Sequence, residues 1–132
     1  MRSAAQSLGW QLIPTLLDVP VTEASYRDAF AAMSRDSANA LYVANGSETL
    51  THLRLIADLA LETRLPSAVG YIDYALAGGL MSYGPDLRVA WRGVARYVDR
   101  ILKGEKANDL PVQLPTKFDL VLNAKTAKAL GI

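Results

Sequence analysis

The residues best suited to chemistry lie just after two apolar segments of strand length. Asn45 and Ser47 follow the first of these segments. Tyr71 and Asp73 follow the second. An amide, a hydroxyl, a carboxylate and an aromatic face are groups that orient a small polar ligand in a pocket. Because ligands bind beyond the carboxyl ends of parallel strands, the pattern predicts that these residues line one shared binding site.

The segment Asn45-Gly46-Ser47 also has a structural interpretation. Asn-Gly-Ser is common turn chemistry, and it can cap the following helix without touching a ligand. The same alternative, a plain connection between strand and helix, applies with less force to Tyr71 and Asp73. Both interpretations stay open at the level of the sequence.

No catalytic motif accompanies these residues. The pair Gly78-Gly79 lacks the surrounding pattern of a phosphate-binding loop and indicates a sharp bend instead. His52 is the only histidine and has no neighbour that would form a recognisable site with it, and cysteine is absent. The sequence therefore predicts a binding protein rather than an enzyme, with no metal site and no cofactor.

The composition limits the remaining function classes. The chain has 132 residues, of which 51% are hydrophobic, so it can bury a core of its own. Its 14 basic and 13 acidic residues are scattered, which argues against a nucleic-acid partner. No apolar run approaches the roughly 18 residues that span a membrane. The segment Met1–Leu8 has the pattern of a helix, so the chain as written is predicted to lack a signal peptide.

Helix-like and strand-like patterns alternate along the chain. Apolar residues at helical spacing predict helices at Met1–Leu8, at Glu23–Arg35 with Thr22 as the N-cap, at Glu48–Thr63, at Asp86–Lys103 and at Thr126–Leu130. Short apolar or alternating runs predict strands at Trp10–Leu17, Ala40–Ala44, Ser67–Gly70 and Lys117–Leu122. Strands separated by helices indicate βαβ units, so the predicted fold class is α/β with a mostly parallel sheet flanked by helices.

Several segments, in this order and spacing, resemble the C-terminal signature of the ABC-transporter substrate-binding family, typified by tryptophan/tyrosine-type binding proteins. The most specific segment is Gly-Gly-Leu-Met-Ser-Tyr-Gly-Pro-Asp-Leu at 78–87. It is followed by similar segments at 97–104, 109–112, 115–118 and 122–131. The resemblance covers essentially all of the chain.

The resemblance implies the C-terminal portion of a two-lobe, type I periplasmic-binding-protein fold. It divides the chain into a second-lobe α/β segment at 1–76, a hinge crossing at 77–85, a helix at 86–104 and a return strand with a terminal helix at 105–132. Tyr83 would lie near the hinge and join the ligand-binding residues. The helix at 86–104 would pack on a first lobe that this sequence lacks.

The function implied is that of a truncated solute-binding component of an ABC-type importer. Such a protein holds a small polar solute, for example an amino acid, between two lobes and delivers it to a membrane permease. The resemblance also implies a periplasmic or extracytoplasmic location. Without a first lobe, the apolar stripe of the helix needs another partner, which favours a homodimer through 86–103 over a helix that folds back on its own lobe.

A second interpretation is a free-standing, flavodoxin-like signalling domain of the receiver type, which shares the alternating pattern. A receiver domain needs an acidic cluster after its first strand and an aspartate at the end of a middle strand. The corresponding strand ends here are Ala44-Asn45 and Gly70-Tyr71. The residue types at these ends favour the solute-binding interpretation.

Overall fold

The computed structural model describes residues 2–132, which form short strands alternating with helices. The helices are α1 (Arg2–Ser7), α2 (Glu23–Arg35), α3 (Ser47–Thr51), α4 (Leu53–Glu62), α5 (Ile72–Leu76), α6 (Leu87–Leu102) and α7 (Ala124–Leu130), with a 3-10 turn at Ala107–Asp109. The strands are β1 (Leu41–Val43), β2 (Ser67–Val69), β3 (Met81–Pro85) and β4 (Phe118–Leu122).

Helices α2, α6 and α7 begin at residues whose side chains bind free backbone N–H groups. Thr22 accepts a hydrogen bond from the Ser25 N–H, and the Ser25 hydroxyl accepts one from the Thr22 N–H, so a reciprocal capping box starts α2. Asp86 accepts from the Arg88 N–H at the start of α6. Asn123 accepts from two N–H groups at the start of α7. The predicted starts of α2 and α6 are confirmed.

The strands form one four-stranded sheet in the order β1-β2-β3-β4. β1 and β2 pair in parallel, with Leu41 opposite Ser67, and β2 and β3 pair in parallel, with Val69 opposite Ser82. β3 and β4 pair antiparallel, with Tyr83 opposite Leu120. The predicted fold class, α/β with a mostly parallel sheet flanked by helices, is confirmed.

The hydrophobic core lies between one face of this sheet and the helices. Tyr74, Ile56 and Val69 are its largest fully buried side chains. Phe30 and Tyr26 of α2 and the apolar side of α4 complete the cluster. The other face of the sheet is exposed and apolar, since its register aligns Tyr42, Tyr83, Phe118, Leu120 and Leu122 on one side.

The strand predicted at Trp10–Leu17 is wrong. This segment has no regular structure, and its backbone is bonded to the preceding helix through the Trp10 N–H and the Ala5 carbonyl. An apolar run becomes a strand only where a neighbour accepts its hydrogen bonds, and none of the described strands pairs with it. Pro14 removes one of its N–H groups as well.

One further boundary differs from the sequence-based expectation. The predicted helix Glu48–Thr63 is interrupted at His52, whose φ of −113° and ψ of 17° separate α3 from α4. The segment predicted as a hinge crossing, 77–85, contains β3, which pairs along both of its edges, and its role as a hinge stays a prediction. β3 therefore takes a place in the sheet, which keeps the number of strands at four.

Helix α6 contributes nothing to this core. None of its residues is buried, and Trp91 keeps 69% of its surface exposed. Val94, Val98 and Ile101 lie on the same side of the helix and are exposed as well. The connection at 105–115 touches the helix at Tyr97, whose hydroxyl donates a hydrogen bond to the Pro111 carbonyl. The apolar stripe predicted for this helix exists and is uncovered.

Candidate functional site

The loops that follow β1 and β2 meet at the carboxyl edge of the sheet. Because the two strands are parallel, the topology delivers both loops to one side. The Gly70 N–H donates a hydrogen bond of 3.1 Å to Oδ1 of Asn45, across 25 residues of sequence. The structure thus joins the Asn45 loop to the strand end that precedes Tyr71.

Glycines let the backbones of neighbouring loops approach at this edge. A Cβ atom on Gly70 would overlap the amide of Asn45. A Cβ atom on Gly84 in β3 would overlap the carbonyl of Gly70. A larger residue at 70 would displace the Asn45 amide, and one at 84 would push β3 away from the end of β2. Neither glycine was among the predicted site residues, although a glycine at a strand end is a recognised sign of close backbone approach.

The Asn45 loop is held on its other side by a buried threonine. Oγ1 of Thr49 donates a hydrogen bond of 2.8 Å to the Ala44 carbonyl. The Ser47 hydroxyl donates to Oε2 of Glu48 at 2.9 Å. The pKa of Glu48 is lowered, first by its own backbone N–H and then by the Ser47 hydroxyl. Ser47 therefore binds its neighbour in the sequence, and no hydrogen bond joins its side chain to Asn45.

Tyr71 and Asp73 occupy different environments. Tyr71 is half-buried, packs against the hydrophobic core and stands at the N-cap position of α5. Asp73 is exposed and lines a cavity of about 100 Å³ between α5 and the start of α6. The other lining residues are Ile72, Leu76, Pro85, Asp86, Leu87 and Arg88. Asn45, Ser47, Tyr71 and Tyr83 do not line this cavity.

Opposite charges meet at the mouth of this cavity. Nε of Arg88 lies 3.0 Å from Oδ1 of Asp86, and Nη2 lies 3.1 Å from Oδ2, so the pair is bidentate. The hydrogen bonds from Arg88 lower the pKa of Asp86, and those to Asp86 raise the pKa of Arg88. Asp73 has no ion-pair partner among residues 2–132. An unpaired carboxylate and a satisfied ion pair therefore face the same small space.

Tyr83 lies elsewhere on the sheet. Its side chain is 59% exposed and stacks on Phe118, with ring centroids 5.8 Å apart. Its register partner Leu120 places it on the exposed apolar face of the sheet. The structure therefore brings Asn45 close to the loop of Tyr71 and places Asp73 at the cavity. Tyr83 and Ser47 neither line the cavity nor take part in the contact between Asn45 and Gly70. Binding by these five residues stays a prediction.

Two features are absent from residues 2–132. No cluster of three or more histidine, cysteine or acidic side chains is placed to hold a metal ion. None of the helices in this part of the chain has the length and apolar character that crossing a membrane requires. A second groove, of about 290 Å³, lies between residues 15–18 and α2, and the strand-end loops contribute nothing to its lining.

Solved structures resemble this fold over nearly the whole chain. A conserved domain protein from Vibrio cholerae O1 biovar El Tor matches 99% of the chain with a TM-score of 0.88 and 24% identity. The ABC domain from Streptococcus pneumoniae in complex with L-Trp matches 98% with a TM-score of 0.83 and 21% identity. The ligand-free, open structure of a substrate-binding protein with adhesive properties from Clostridium difficile matches 99% with a TM-score of 0.66 and 19% identity.

The chain spans less than half the length of these structures, covering 43%, 44% and 43% of them respectively. At these identities the likeness shows the fold, and the coverage agrees with a C-terminal portion of the two-lobe fold. Among curated proteins none matches the chain. A family model described as ABC transporter substrate binding protein matches residues 9–132. The chain belongs to the ABC transporter substrate-binding protein family.

Proposed function

We propose that this chain binds a small polar solute at the carboxyl edge of its sheet, as part of an ABC-type importer that passes the solute to a membrane permease. The observation that carries the proposal is the hydrogen bond between the Gly70 N–H and Oδ1 of Asn45. It fixes two strand-end loops side by side, at the edge where parallel sheets bind ligands. Family membership supports a solute-binding role for the whole fold.

Polar groups left free at this edge would contact the solute. Asn45 uses Oδ1 to hold Gly70, and its Nδ2 has no hydrogen-bond partner among residues 2–132. That amide is therefore available as a donor. Tyr71, the residue after Gly70, offers a partly buried ring. Ser47 and Tyr83 would reach the solute only after a change in their present contacts with Glu48 and Phe118.

An amino acid suits the charges at the cavity better than an anion. Asp73 and Asp86 contribute two negative charges and Arg88 one positive charge, and Arg88 is already paired with Asp86. The unpaired Asp73 carboxylate would bind the ammonium group at this cavity, and the rest of the solute would extend out of the cavity towards Asn45 and Tyr71. The L-Trp complex of the structure from S. pneumoniae supports this solute class.

The exposed helix α6 supports a two-lobe arrangement. In this proposal residues 1–76 belong to the second lobe, 77–85 cross between lobes, 86–104 pack on the first lobe, and 105–132 return. β4 does return to the sheet, beside β3, after α6. A solute held between two lobes stabilises the closed state, which the permease would recognise. Such a protein works outside the cytoplasm, where it captures the solute and presents it to the permease.

A second copy would cover the α6 stripe when the chain is alone. Trp91, Val94, Val98 and Ile101 on this stripe leave an apolar face that a monomer seldom exposes. We expect light scattering at micromolar concentration to give the mass of a dimer, and Trp91→Glu to give a monomer. A monomer in both samples would contradict the homodimer and leave the solute site unaffected.

Substitution of Asp73 tests the solute site. Asp73→Asn keeps the size of the side chain and removes the charge, so amino-acid binding should weaken by about tenfold or more, equivalent to roughly 1.4 kcal/mol. Asp58→Asn is the matched control, since Asp58 lies on α4 and pairs with Arg54. Calorimetric titration with a panel of amino acids provides the affinities. Equal affinities for the two variants would contradict the proposed role of Asp73.

A further inference from the structure

The sequence contains one Asn-Gly dipeptide, Asn45-Gly46. It lies in the loop between β1 and α3, where Asn45 is exposed. Gly46 has no side chain to shield its backbone nitrogen, so this nitrogen can approach the side-chain amide of the preceding asparagine. Asparagine side chains commonly interact with nearby backbone groups in such loops.

Three groups take part in the cyclisation, and their hydrogen bonds differ. Gly46 is extended, with φ of −167° and ψ of 166°, and its N–H donates to no acceptor among residues 2–132. Oδ1 of Asn45 accepts the Gly70 N–H at 3.1 Å, which withdraws electrons from Cγ. Nδ2 has no hydrogen-bond partner in the described part of the chain. The nucleophile is free, the electrophile is polarised and the leaving nitrogen is unrestrained.

We propose that Asn45 is a site of spontaneous deamidation in the folded protein. The deprotonated Gly46 nitrogen attacks Cγ of Asn45 and forms a new N–Cγ bond. Negative charge develops on Oδ1, where the Gly70 N–H stabilises it as an oxyanion-hole donor does. The Cγ–Nδ2 bond then breaks, and ammonia leaves with a proton from solvent. Water opens the resulting succinimide at either carbonyl, which gives aspartate or isoaspartate at position 45.

The remaining asparagines provide internal references. Asn39, Asn108 and Asn123 precede Ala40, Asp109 and Ala124, whose side chains hinder the attack. Asn123 is also held at both ends of its amide. Its Nδ2 donates to the Ala75 carbonyl at 2.9 Å, and its Oδ1 accepts from the Lys125 and Thr126 N–H groups. Asn123 should stay unmodified in the same sample.

The two products would affect the loops differently. An aspartate carboxylate at position 45 can still accept the Gly70 N–H, but it adds a negative charge near the proposed solute site. Isoaspartate inserts a methylene into the backbone before Gly46, which would move the loop away from Gly70. Loss of solute affinity with age rests on the proposed function, whereas the chemical change at Asn45 does not.

The experiment is peptide mapping by mass spectrometry after incubation of the folded chain in mildly alkaline buffer. Gly46→Ala is the matched control, because φ of −167° suits any residue and a Cβ there meets only Glu48 and Thr49 at ordinary distances of 3.5 and 3.9 Å. We expect aspartate and isoaspartate to accumulate at position 45 in the wild type and to be lost in Gly46→Ala. Circular dichroism checks that both proteins are folded.

A parallel incubation in urea tests whether the native loop accelerates or slows deamidation at Asn45. Because the Gly70 contact exists only in the folded state, conversion at Asn45 should be faster in the folded chain than in the denatured one. Conversion that occurs only in urea would overturn the proposal, since the native loop would then protect Asn45. Equal conversion at Asn45 and Asn123 in the folded chain would overturn it too. Neither result depends on a solute.

Discussion

Two buried serines on neighbouring strands differ in whether the side-chain hydroxyl makes a hydrogen bond, so their alanine variants can be compared directly. Ser67 of β2 is 4% exposed, and its hydroxyl shares a hydrogen bond of 2.6 Å with the Tyr74 hydroxyl. Ser82 of β3 is 0% exposed, and its hydroxyl has no partner among residues 2–132. Both face the helix-covered side of the sheet, where a hydroxyl without a partner is costly.

Replacement by alanine should therefore have opposite consequences at the two positions. Ser67→Ala leaves the buried Tyr74 hydroxyl unsatisfied, which costs about 1–3 kcal/mol. Ser82→Ala removes a polar group that makes no hydrogen bond, so the free energy of unfolding should stay the same or rise slightly. In the double variant Ser67→Ala/Tyr74→Phe, both partners are gone, and much of the loss should be recovered.

Urea denaturation followed by circular dichroism measures these differences. For a small protein the slope is about 1–3 kcal/mol per molar urea, so a loss of about 2 kcal/mol lowers the midpoint by roughly 1 M. The slope itself should not change. A Ser82→Ala variant as destabilised as Ser67→Ala would refute the reasoning, because the hydrogen bond with Tyr74 would then make no difference.

Three further predictions concern stability. Gly79→Ala should destabilise the fold by more than about 1 kcal/mol, because its Cβ would overlap the Tyr74 ring, whereas Gly93→Ala should be neutral or stabilising in thermal melts. Burial raises the pKa of Tyr74 above its ordinary 10.0, so the folded state keeps this proton longer. The contribution of the protonated hydroxyl to the free energy of unfolding is complete below pH 10 and is lost as the pH rises further. In urea titrations at alkaline pH, the free energy of unfolding should therefore fall less for Tyr74→Phe than for the wild type. Thr22→Ala should cost about 1 kcal/mol of unfolding free energy through loss of the α2 cap, and a melt unchanged from wild type would contradict the capping box.

The elements that could be predicted from the sequence are those whose signals are local. Thr22 starts α2 because its hydroxyl binds an N–H three residues ahead, and such a cap needs no distant partner. The segment Trp10–Leu17 has an equally clear apolar pattern but depends on a neighbouring strand, and the described residues contain none for it. Gly78-Gly79 predicts a bend before β3, whereas the pairing of β3 with β2 and β4 depends on distant residues.

The candidate site also combines features that the sequence predicts with features that depend on distant residues. Parallel topology is sufficient to predict that the loops after β1 and β2 share an edge, and the bond between Gly70 and Asn45 joins them there. The close approach of Gly70 to Gly84 could not be predicted, because it depends on how far β3 extends beyond β2. The cavity beside Asp73 depends on the position of α6, which local patterns do not determine.

The most direct test of the proposed solute site is an amino-acid titration of the isotopically labelled chain, followed by amide chemical shifts. L-Trp and a panel of other amino acids would be added to millimolar concentration, since a half-site binds weakly. We expect shift changes concentrated at residues 44–47 and 70–73 for at least one solute. Binding that shifts only residues far from these loops, or no shift with any solute, would contradict the proposed site.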